Sequence, residues 1–265
     1  MARSTISNHS WMAVNRRASV LLAFGLATLS LAPSPTAAQP TDPQTASARS
    51  TPSTPSNSSA KSDPAEPQPT EELASRGRQY RALKGQQRAA IITSKGALET
   101  ITATAIDIRA FAIEGPAEAR STLAGAHLRL AARNLIPADA TLADEITTDA
   151  WLNEAKSPWI DLVIKEVRNV RSVEVPAGKG SEATLIGELT LRGITRAIEI
   201  SRVTLIMIPA SDATRSVAEG DLLRLRATFD IQLADFGIRN DAIAVRKRIA
   251  PAVSVDIDLV LATGK

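Results

Sequence analysis

The sequence predicts an all-β, mainly antiparallel fold in which about eight strands close into a barrel with one short helix. In the C-terminal part, apolar and polar side chains alternate along most segments, as in the run from Leu223 to Leu233. Strands with one apolar and one polar face pair antiparallel around an enclosed core. One stretch, after Thr141, has helical spacing instead. A closed barrel removes exposed sheet edges, although a two-sheet sandwich would produce the same alternation.

The N-terminal residues have the composition of a secretory signal. Residues 1–17 contain three arginines and no acidic residue, and the apolar run Ala18–Ala32 follows them. Small residues end this segment, so we expect cleavage after Ala38. A retained signal anchor is the alternative, but a membrane span needs about 20 apolar residues and this run is shorter. The Arg16–Arg17 pair also occurs in twin-arginine signals, whereas the residues that follow it favour general secretion.

The next segment, up to Ser75, is rich in Pro, Ser, Thr, Ala and Gln and has almost no large apolar residue. Such a composition cannot bury enough apolar surface to offset the entropy cost of ordering, so we expect a disordered tether. The remainder is long enough for one sizeable core. The chain therefore divides into a signal peptide, a linker and one β-barrel domain, at residues 1–38, 39–75 and 76–265.

The composition limits the possible chemistry. The chain contains no cysteine, which excludes disulfide bonds, thiolate metal ligands and an acylated cysteine anchor, and fits a periplasmic or extracellular protein. The net charge of +3 is too small to indicate nucleic-acid binding. A basic cluster precedes the first predicted strand, where we expect a solvated linker end rather than contact with anionic lipid head groups. Its members are Arg76, Arg78, Arg81, Lys84 and Arg88.

The alternating segments predict the strands in chain order. Two are the clearest, because their apolar residues face one side over five or more positions: Leu223–Leu233 and Val253–Leu261. Strands are also expected at about Ala89–Thr93, Leu98–Phe111, His127–Leu130, Ile160–Ile164, Leu185–Leu191 and Ile194–Ile208.

The segment with helical spacing begins at Thr141, an N-cap residue type that is followed three positions later by an acid. Apolar residues then recur at helical intervals. We expect a short helix from about Leu142 to Asn153. Trp151 and Trp159 flank the corner between this helix and the next strand, where we expect both to be buried as plugs of the barrel.

Three phrases occur in a fixed order between Ala126 and Ala262. The first is the helix-to-strand segment Ala150–Ile160, the second is the hairpin Leu189-Thr190-Leu191-Arg192-Gly193-Ile194-Thr195-Arg196, and the third is the corner Asp235-Phe236-Gly237-Ile238. Together they resemble the YceI family of secreted, lipocalin-like barrels that bind lipids.

Backbone chemistry accounts for two of these phrases. Gly193 allows a positive φ between two strands, while Phe236 and Gly237 let the chain turn a barrel corner with a ring closing the end. The chain departs from the family pattern in its opening segment Arg88–Arg120, which lacks the aromatic-rich opening strand typical of the family, and at Leu233, which replaces a basic residue. The polar and basic residues after the corner are expected in a loop at the barrel mouth: Arg239, Asn240, Asp241, Arg246, Lys247 and Arg248.

The resemblance implies a binding protein. Family members bind long polyisoprenoid chains, including the tails of quinones, in an elongated apolar cavity, and an eight-stranded barrel is just wide enough for one slender ligand. We therefore expect a lipid partner, no metal, and no cofactor other than a bound polyisoprenoid or isoprenoid quinone. Contact with a membrane surface is compatible with this role. The expected lining is the apolar face of the two clearest strands: Leu223, Leu225, Phe229, Ile231, Val255, Ile257 and Leu259.

The alternative is an envelope or extracellular interaction domain with a filled barrel and no small-molecule ligand. Its surface would then carry the function. The feature that distinguishes the two hypotheses is a cavity, which a filled barrel lacks.

Signals of catalysis are weak. His127 is the one histidine outside the predicted signal, and alternation places it on the polar face beside Arg129, as expected for a surface histidine. One histidine without cysteine cannot complete a typical zinc site. Asp256 and Asp258 are expected to face outward. The sequence contains neither a Gly-rich phosphate loop nor a G-x-S-x-G motif, so it predicts a binding protein and not an enzyme.

Overall fold

The computed structural model describes residues 66–116, 122–175, 178–238 and 249–264. The predicted signal peptide, most of the predicted linker and the predicted mouth-loop residues from Arg239 to Arg248 lie outside the described residues. The strand segments are β1 (Gln79–Ala82), β2 (Ala90–Lys95), β3 (Thr100–Ala105), β4 (Arg109–Glu114), β5 (Leu123–Ala131), β6 (Leu135–Pro137), β7 (Trp159–Val175), β8 (Gly178–Leu191), β9 (Ile194–Ile208), β10 (Leu222–Gln232) and β11 (Ala252–Thr263). The α-helices are α1 (Glu71–Ala74) and α2 (Ala143–Thr147). In the part of the chain that the structure describes, no helix is both long enough and apolar enough to cross a membrane.

The segments form one antiparallel sheet that closes into an eight-stranded barrel. From β1 the ring passes through β4, β5, β7, β8, β9, β10 and β11, and β11 pairs back with β1. Beyond β1, the same edge of β11 pairs with β2, which is followed by β3 and β6. Three barrel strands are thus broken in two, at residues 83–89, 106–108 and 132–134. The closed ring confirms the predicted barrel and excludes the two-sheet sandwich.

A side chain bridges the break between β1 and β2. Gln86 donates from Nε2 to the carbonyl oxygen of Val260 at 2.8 Å, and its Oε1 accepts from the Val260 amide at 2.9 Å. The amide group of Gln86 therefore replaces a strand residue opposite Val260 and satisfies the β11 backbone where neither β1 nor β2 reaches it. Because a polar side chain performs this role, the alternation of apolar residues does not extend through the break.

The chain before β1 packs on the outside of the barrel. Alternation along β4 turns Ile113 outward, opposite Gly125 of β5, yet Ile113 is fully buried. Leu73 of α1 lies against the same place, since a Cβ added at Gly125 would be 3.1 Å from a Leu73 methyl carbon. Residues 66–75, which the composition assigns to the linker, thus include a helix that contributes to the cover of an outward apolar patch.

The expectation of a solvated linker end is wrong for part of the basic cluster. Arg78 forms ion pairs with Glu114, at 2.7 Å, and with Asp221. Hydrogen bonding to Glu114 raises the pKa of Arg78, although burial opposes the shift. Arg81 lies within β1 and donates to the Gln68 side chain at 2.5 Å. Arg81 is therefore part of the barrel wall, and ion pairs hold Arg78 against the barrel just before β1.

The predicted helix is present but shorter than expected. α2 ends at Thr147, because Thr148 has an extended backbone with ψ of 168°. The stretch from Thr148 to Lys156 forms turns, in which Asn153 has a positive φ of 54°. Asp139 caps the turn that precedes α2, accepting from the Thr141 amide at 3.0 Å, so Thr141 is not the N-cap residue. The apolar residues at helical spacing therefore belong to a short helix followed by turns, and not to one regular helix.

Candidate ligand cavity

An apolar cavity of about 200 Å³ occupies one half of the barrel. It lies toward the end where β2, β8 and β10 finish and β7, β9 and β11 begin. Inward side chains of the surrounding strands form its wall: Ala90, Ile92, Ser94, Ile101, Ala103, Ala105, Leu128, Leu130, Leu135, Pro137, Ile160, Leu162, Leu189, Leu191, Phe229, Ile231, Val253, Val255 and Ile257. The lining is almost wholly aliphatic, so the cavity suits an apolar ligand.

Strand register arranges this wall in layers. Nearest the mouth, Ile231 of β10 lies opposite Val253 of β11, which in turn pairs with Ser94 of β2. Two residues deeper, Phe229 lies opposite Val255. Successive layers are two residues apart on each strand, because only alternate side chains point inward.

Four of the seven residues predicted to line a cavity do lie in its wall, namely Phe229, Ile231, Val255 and Ile257. The structure places the other three, Leu223, Leu225 and Leu259, below the cavity and outside its lining. They are at most 2% exposed and belong to the packed half of the barrel core. The alternation correctly predicted that all seven side chains point inward, but it carries no information about the depth at which side chains fill the barrel completely.

The wall next to β11, formed by β2, β3 and β6, contains lining residues that the strand pattern did not single out. Ala103 and Ala105 of β3 face the cavity, as does Ala90 of β2. Leu135 and Pro137 of β6 complete this side. The signal that could have identified the wall is the accumulation of alanines on inward positions, because small side chains leave interior space unfilled.

A folded-back segment covers the mouth of the cavity. Leu142, Ile146, Trp151 and Leu152 contribute apolar side chains to the lining from above the strands. The Leu152 amide donates to the Ile146 carbonyl oxygen at 3.1 Å, which holds the turn closed over α2. Trp151 therefore closes the barrel as expected of a plug. The expectation of a barrel plug is wrong for Trp159. Its ring lies against the guanidinium of Arg129, whose Cζ is 5.7 Å from the ring centroid.

Arg192 fastens this cover to the barrel. It sits at a positive φ of 55° in the β8–β9 turn, followed by Gly193 at 75°, as expected for Gly193. Its guanidinium donates to the carbonyl oxygen of Asp149 at 2.5 Å and to that of Gly237. The hairpin phrase and the corner phrase are thus neighbours at the mouth, and Phe236 is buried beneath them in the core.

Polar groups at the cavity are few. Among the lining residues that the structure describes, Ser94, Arg129 and Glu145 have hydroxyl or charged side chains, and Trp151 has an indole N–H. The Ser94 hydroxyl oxygen accepts from the Ala250 amide at 2.9 Å, so it serves to connect two backbone segments. Across the described residues, no cluster of three or more His, Cys, Asp and Glu side chains is arranged to hold a metal ion. The apolar lining suits the binding of an apolar ligand.

His127 belongs to a polar cluster on the outer face. Its Nε2 lies 2.6 Å from Asp161 Oδ1, the same oxygen to which Arg129 Nε donates at 2.6 Å. Burial works to raise the pKa of Asp161, but the hydrogen bonds from His127 and Arg129 outweigh it and lower the pKa overall. The His127 ring also meets Phe111 edge-on, with centroids 6.0 Å apart. The cluster is a cross-strand contact on the outer face of the barrel, and one of its members, Arg129, also borders the cavity.

The other predicted outward pair is also engaged in cross-strand contacts. Asp258 accepts from Arg224 at 2.7 and 2.6 Å, and Asp256 accepts from the Thr228 hydroxyl at 2.7 Å. These bonds hold β10 to β11 on their solvent side, opposite the lining.

The YceI-like domain model matches residues 85–261 of this chain. The matched range begins just before β2 and ends within β11, so it contains every strand that lines the cavity. No curated protein matches the chain.

Several solved structures are similar in fold. BcnA of Burkholderia cenocepacia is 13% identical with a TM-score of 0.49, over 64% of this chain and 94% of that chain. A YceI protein of Campylobacter jejuni is 12% identical with a TM-score of 0.47, over 62% and 84%. A polyisoprenoid-binding domain of Saccharophagus degradans, implicated in plant cell wall breakdown, is 12% identical with a TM-score of 0.45, over 71% and 99%.

Proposed function

This chain belongs to the YceI-like domain family, and we propose that its barrel binds the apolar tail of a lipid of the polyisoprenoid or isoprenoid-quinone class. The observation that carries the proposal is the cavity of about 200 Å³ with its aliphatic wall and apolar cover. Protein interiors are normally packed without such voids. A barrel that acted through its surface alone would have no use for unfilled space in one half of its core.

The hydrophobic effect is sufficient to hold such a ligand. Each methylene group that leaves water for an apolar site contributes about 0.8 kcal/mol before ordering costs are subtracted. No hydrogen bond or metal is needed. We therefore propose a protein that sequesters or carries its lipid without catalysis and without a resident cofactor.

We also propose that the protein works in the periplasm or outside the cell. The support is the signal-like composition of residues 1–38, together with the absence of cysteine from the sequence. A lipid carrier in that compartment meets its ligand at a membrane surface. Contact with the membrane would then be peripheral, made by the mature protein at the moment of loading.

Filling the cavity tests this function. Ala103→Phe places a ring in the cavity from the β3 wall, and we expect it to weaken binding of geraniol by about tenfold or more because the ligand and the ring compete for one volume. Isothermal titration measures the affinity.

The matched control is Ala197→Phe, which makes the same change at an exposed position of β9. It is expected to bind geraniol like the unmodified protein. Undiminished binding by a folded Ala103→Phe protein would contradict the proposed site.

A further inference from the structure

We propose that the cavity accepts only a short apolar tail, about two isoprene units long, and that Leu225 and Leu259 form the floor that sets this limit. The inference rests on the proposed function and narrows its ligand class by chain length. What carries it is the abrupt boundary between a lined half and a packed half of the same barrel.

The register of β10 and β11 locates this boundary. Phe229 lies opposite Val255, Ala227 opposite Ile257, and Leu225 opposite Leu259. Val255 and Ile257 line the cavity, whereas Leu259 is fully buried and Leu225 is 2% exposed, both outside the lining. The cavity therefore stops between two successive inward layers.

Side-chain size explains why it stops there. In the last lined layer, Ile257 pairs with Ala90 of β2, which pairs with Ala105 of β3, and these alanines leave the centre open. In the packed half, the position of β2 is taken by β1, whose Tyr80 is fully buried in the core. A large ring at the far end and leucines in the floor layer leave a tail no path onward.

Strand geometry gives the depth of the part of the cavity that the strands line. From Val253 to Ile257 the lining spans four residues of β11, or about 14 Å along a strand that rises about 3.4 Å per residue. Barrel strands tilt by about 40°, so the depth along the barrel axis is about 10 Å. An extended alkyl chain with C–C bonds of about 1.5 Å advances about 1.3 Å per carbon, which gives about eight carbons.

The volume independently gives a similar tail size. A cavity of about 150 Å³ lined by aliphatic and aromatic side chains admits benzene, with its six heavy atoms. In proportion, about 200 Å³ admits about eight heavy atoms. The depth therefore matches the eight-carbon main chain of two isoprene units, as in geraniol, while the volume lies between the five carbons of one unit and the ten carbons of two.

A series of isoprenoid alcohols tests the limit: isoprenol, geraniol, farnesol and geranylgeraniol, which have one to four units. Isothermal titration is made on the full mature protein below the solubility limit of each alcohol. We expect affinity to rise about a hundredfold or more from isoprenol to geraniol, at about fourfold per buried carbon, and then to change by less than about threefold per unit. A gain that continues undiminished through farnesol and geranylgeraniol would overturn the inference.

Variants of the floor locate the limit. Leu259→Ala opens the floor layer, and we expect farnesol to bind it about tenfold more tightly than geraniol does. Leu223→Ala is the matched control, because it makes the same truncation one layer deeper, behind an intact floor. It is expected to keep the limit of the unmodified protein. An equal extension in both variants would show that Leu259 is not the floor.

The two floor variants both truncate a core side chain, which itself lowers stability, so a third variant tests the limit by adding volume instead. Ala90→Leu adds volume to the last lined layer and is expected to reduce the advantage of geraniol over isoprenol to less than about tenfold. An unchanged advantage would contradict the inference. Failure of every alcohol to bind the unmodified protein would overturn the proposed function as well, whereas binding without a length limit would overturn this inference alone.

Discussion

Arg192 links three parts of the chain that are distant in sequence. Its guanidinium reaches the carbonyl oxygens of Asp149, Phe236 and Gly237. Carbonyl groups at turns have no strand partner, so a planar group with several donors satisfies them together. The co-occurrence of the hairpin and corner phrases follows from this contact, which sequence reasoning did not predict.

We predict that Arg192→Ala lowers the free energy of unfolding by about 2 kcal/mol, because carbonyl groups at the mouth lose a charged donor. Arg196→Ala is the control, since Arg196 makes one exposed bond, to the Asp235 carbonyl oxygen at 3.0 Å. Its expected cost is below about 1 kcal/mol. Urea denaturation measures both. Equal costs for the two variants would contradict the role assigned to Arg192.

The outer polar cluster predicts how stability depends on pH. The pKa of Asp161 is lowered in the folded protein, whereas in the unfolded chain an aspartate has a pKa of about 3.9. Below that value the unfolded chain takes up a proton before the folded protein does, so the free energy of unfolding falls as the pH falls through this window. Above it, the full contribution of Asp161 is present.

Asp161→Asn is therefore expected to cost about 1–3 kcal/mol at pH 7, where it leaves His127 and Arg129 without their carboxylate. The difference from the unmodified protein should shrink as the pH is lowered below about 4, because the unmodified protein loses the same interaction. Urea denaturation at a series of pH values measures it. A difference that stays constant down to pH 2 would exclude Asp161 as a source of acid sensitivity.

At the scale of elements, strands with long alternation could be predicted from the sequence. β9, β10 and β11 were predicted to within a few residues because each has one face on the core and one in solvent. β1 was missed, since it has only four residues, carries Arg81, and is followed by a break that the Gln86 side chain bridges. Its pairing with β11 closes the barrel, so the element most difficult to predict completes the fold.

The cavity was predictable only in part for a related reason. Alternation identifies the inward face of a strand, which is how Phe229 and Val255 were assigned to the lining. It cannot identify the depth at which leucines such as Leu225 fill the interior, because that depends on side chains contributed by other strands. The cover was also missed as such, since its apolar residues resemble those of a longer helix.

A substitution in α1 tests how much the packing of this helix on the barrel contributes to stability. Leu73 of α1 packs against Gly125 beside buried Ile113. We predict that Leu73→Asp lowers the free energy of unfolding by about 1–2 kcal/mol, because it places a charge on an apolar patch.

Leu98→Asp is the matched control, since Leu98 is 70% exposed at the β2–β3 turn. It is expected to change the free energy of unfolding by less than about 0.5 kcal/mol. Urea denaturation compares the two proteins. Equal stability of both variants would contradict the packing of α1 on the barrel.

At the scale of the whole molecule, the barrel divides its interior between stability and binding. One half is packed by large side chains, with Tyr80, Leu205 and Leu223 fully buried. The other half is wide enough to leave about 200 Å³ open beneath its cover. Packing in the first half can hold the ring closed while the second remains empty, so a cavity costs the fold less than it would in a uniformly loose core.

The central claim is that this cavity binds an isoprenoid tail, and native mass spectrometry of the protein purified from a bacterial periplasm tests it most directly. Organic extraction of the same sample then identifies any bound molecule. We predict a stoichiometric adduct that extracts as an isoprenoid and is absent from Ala103→Phe. A protein that is purified without an adduct, and remains without one after incubation with geraniol, would contradict the claim and favour a barrel that acts through its surface.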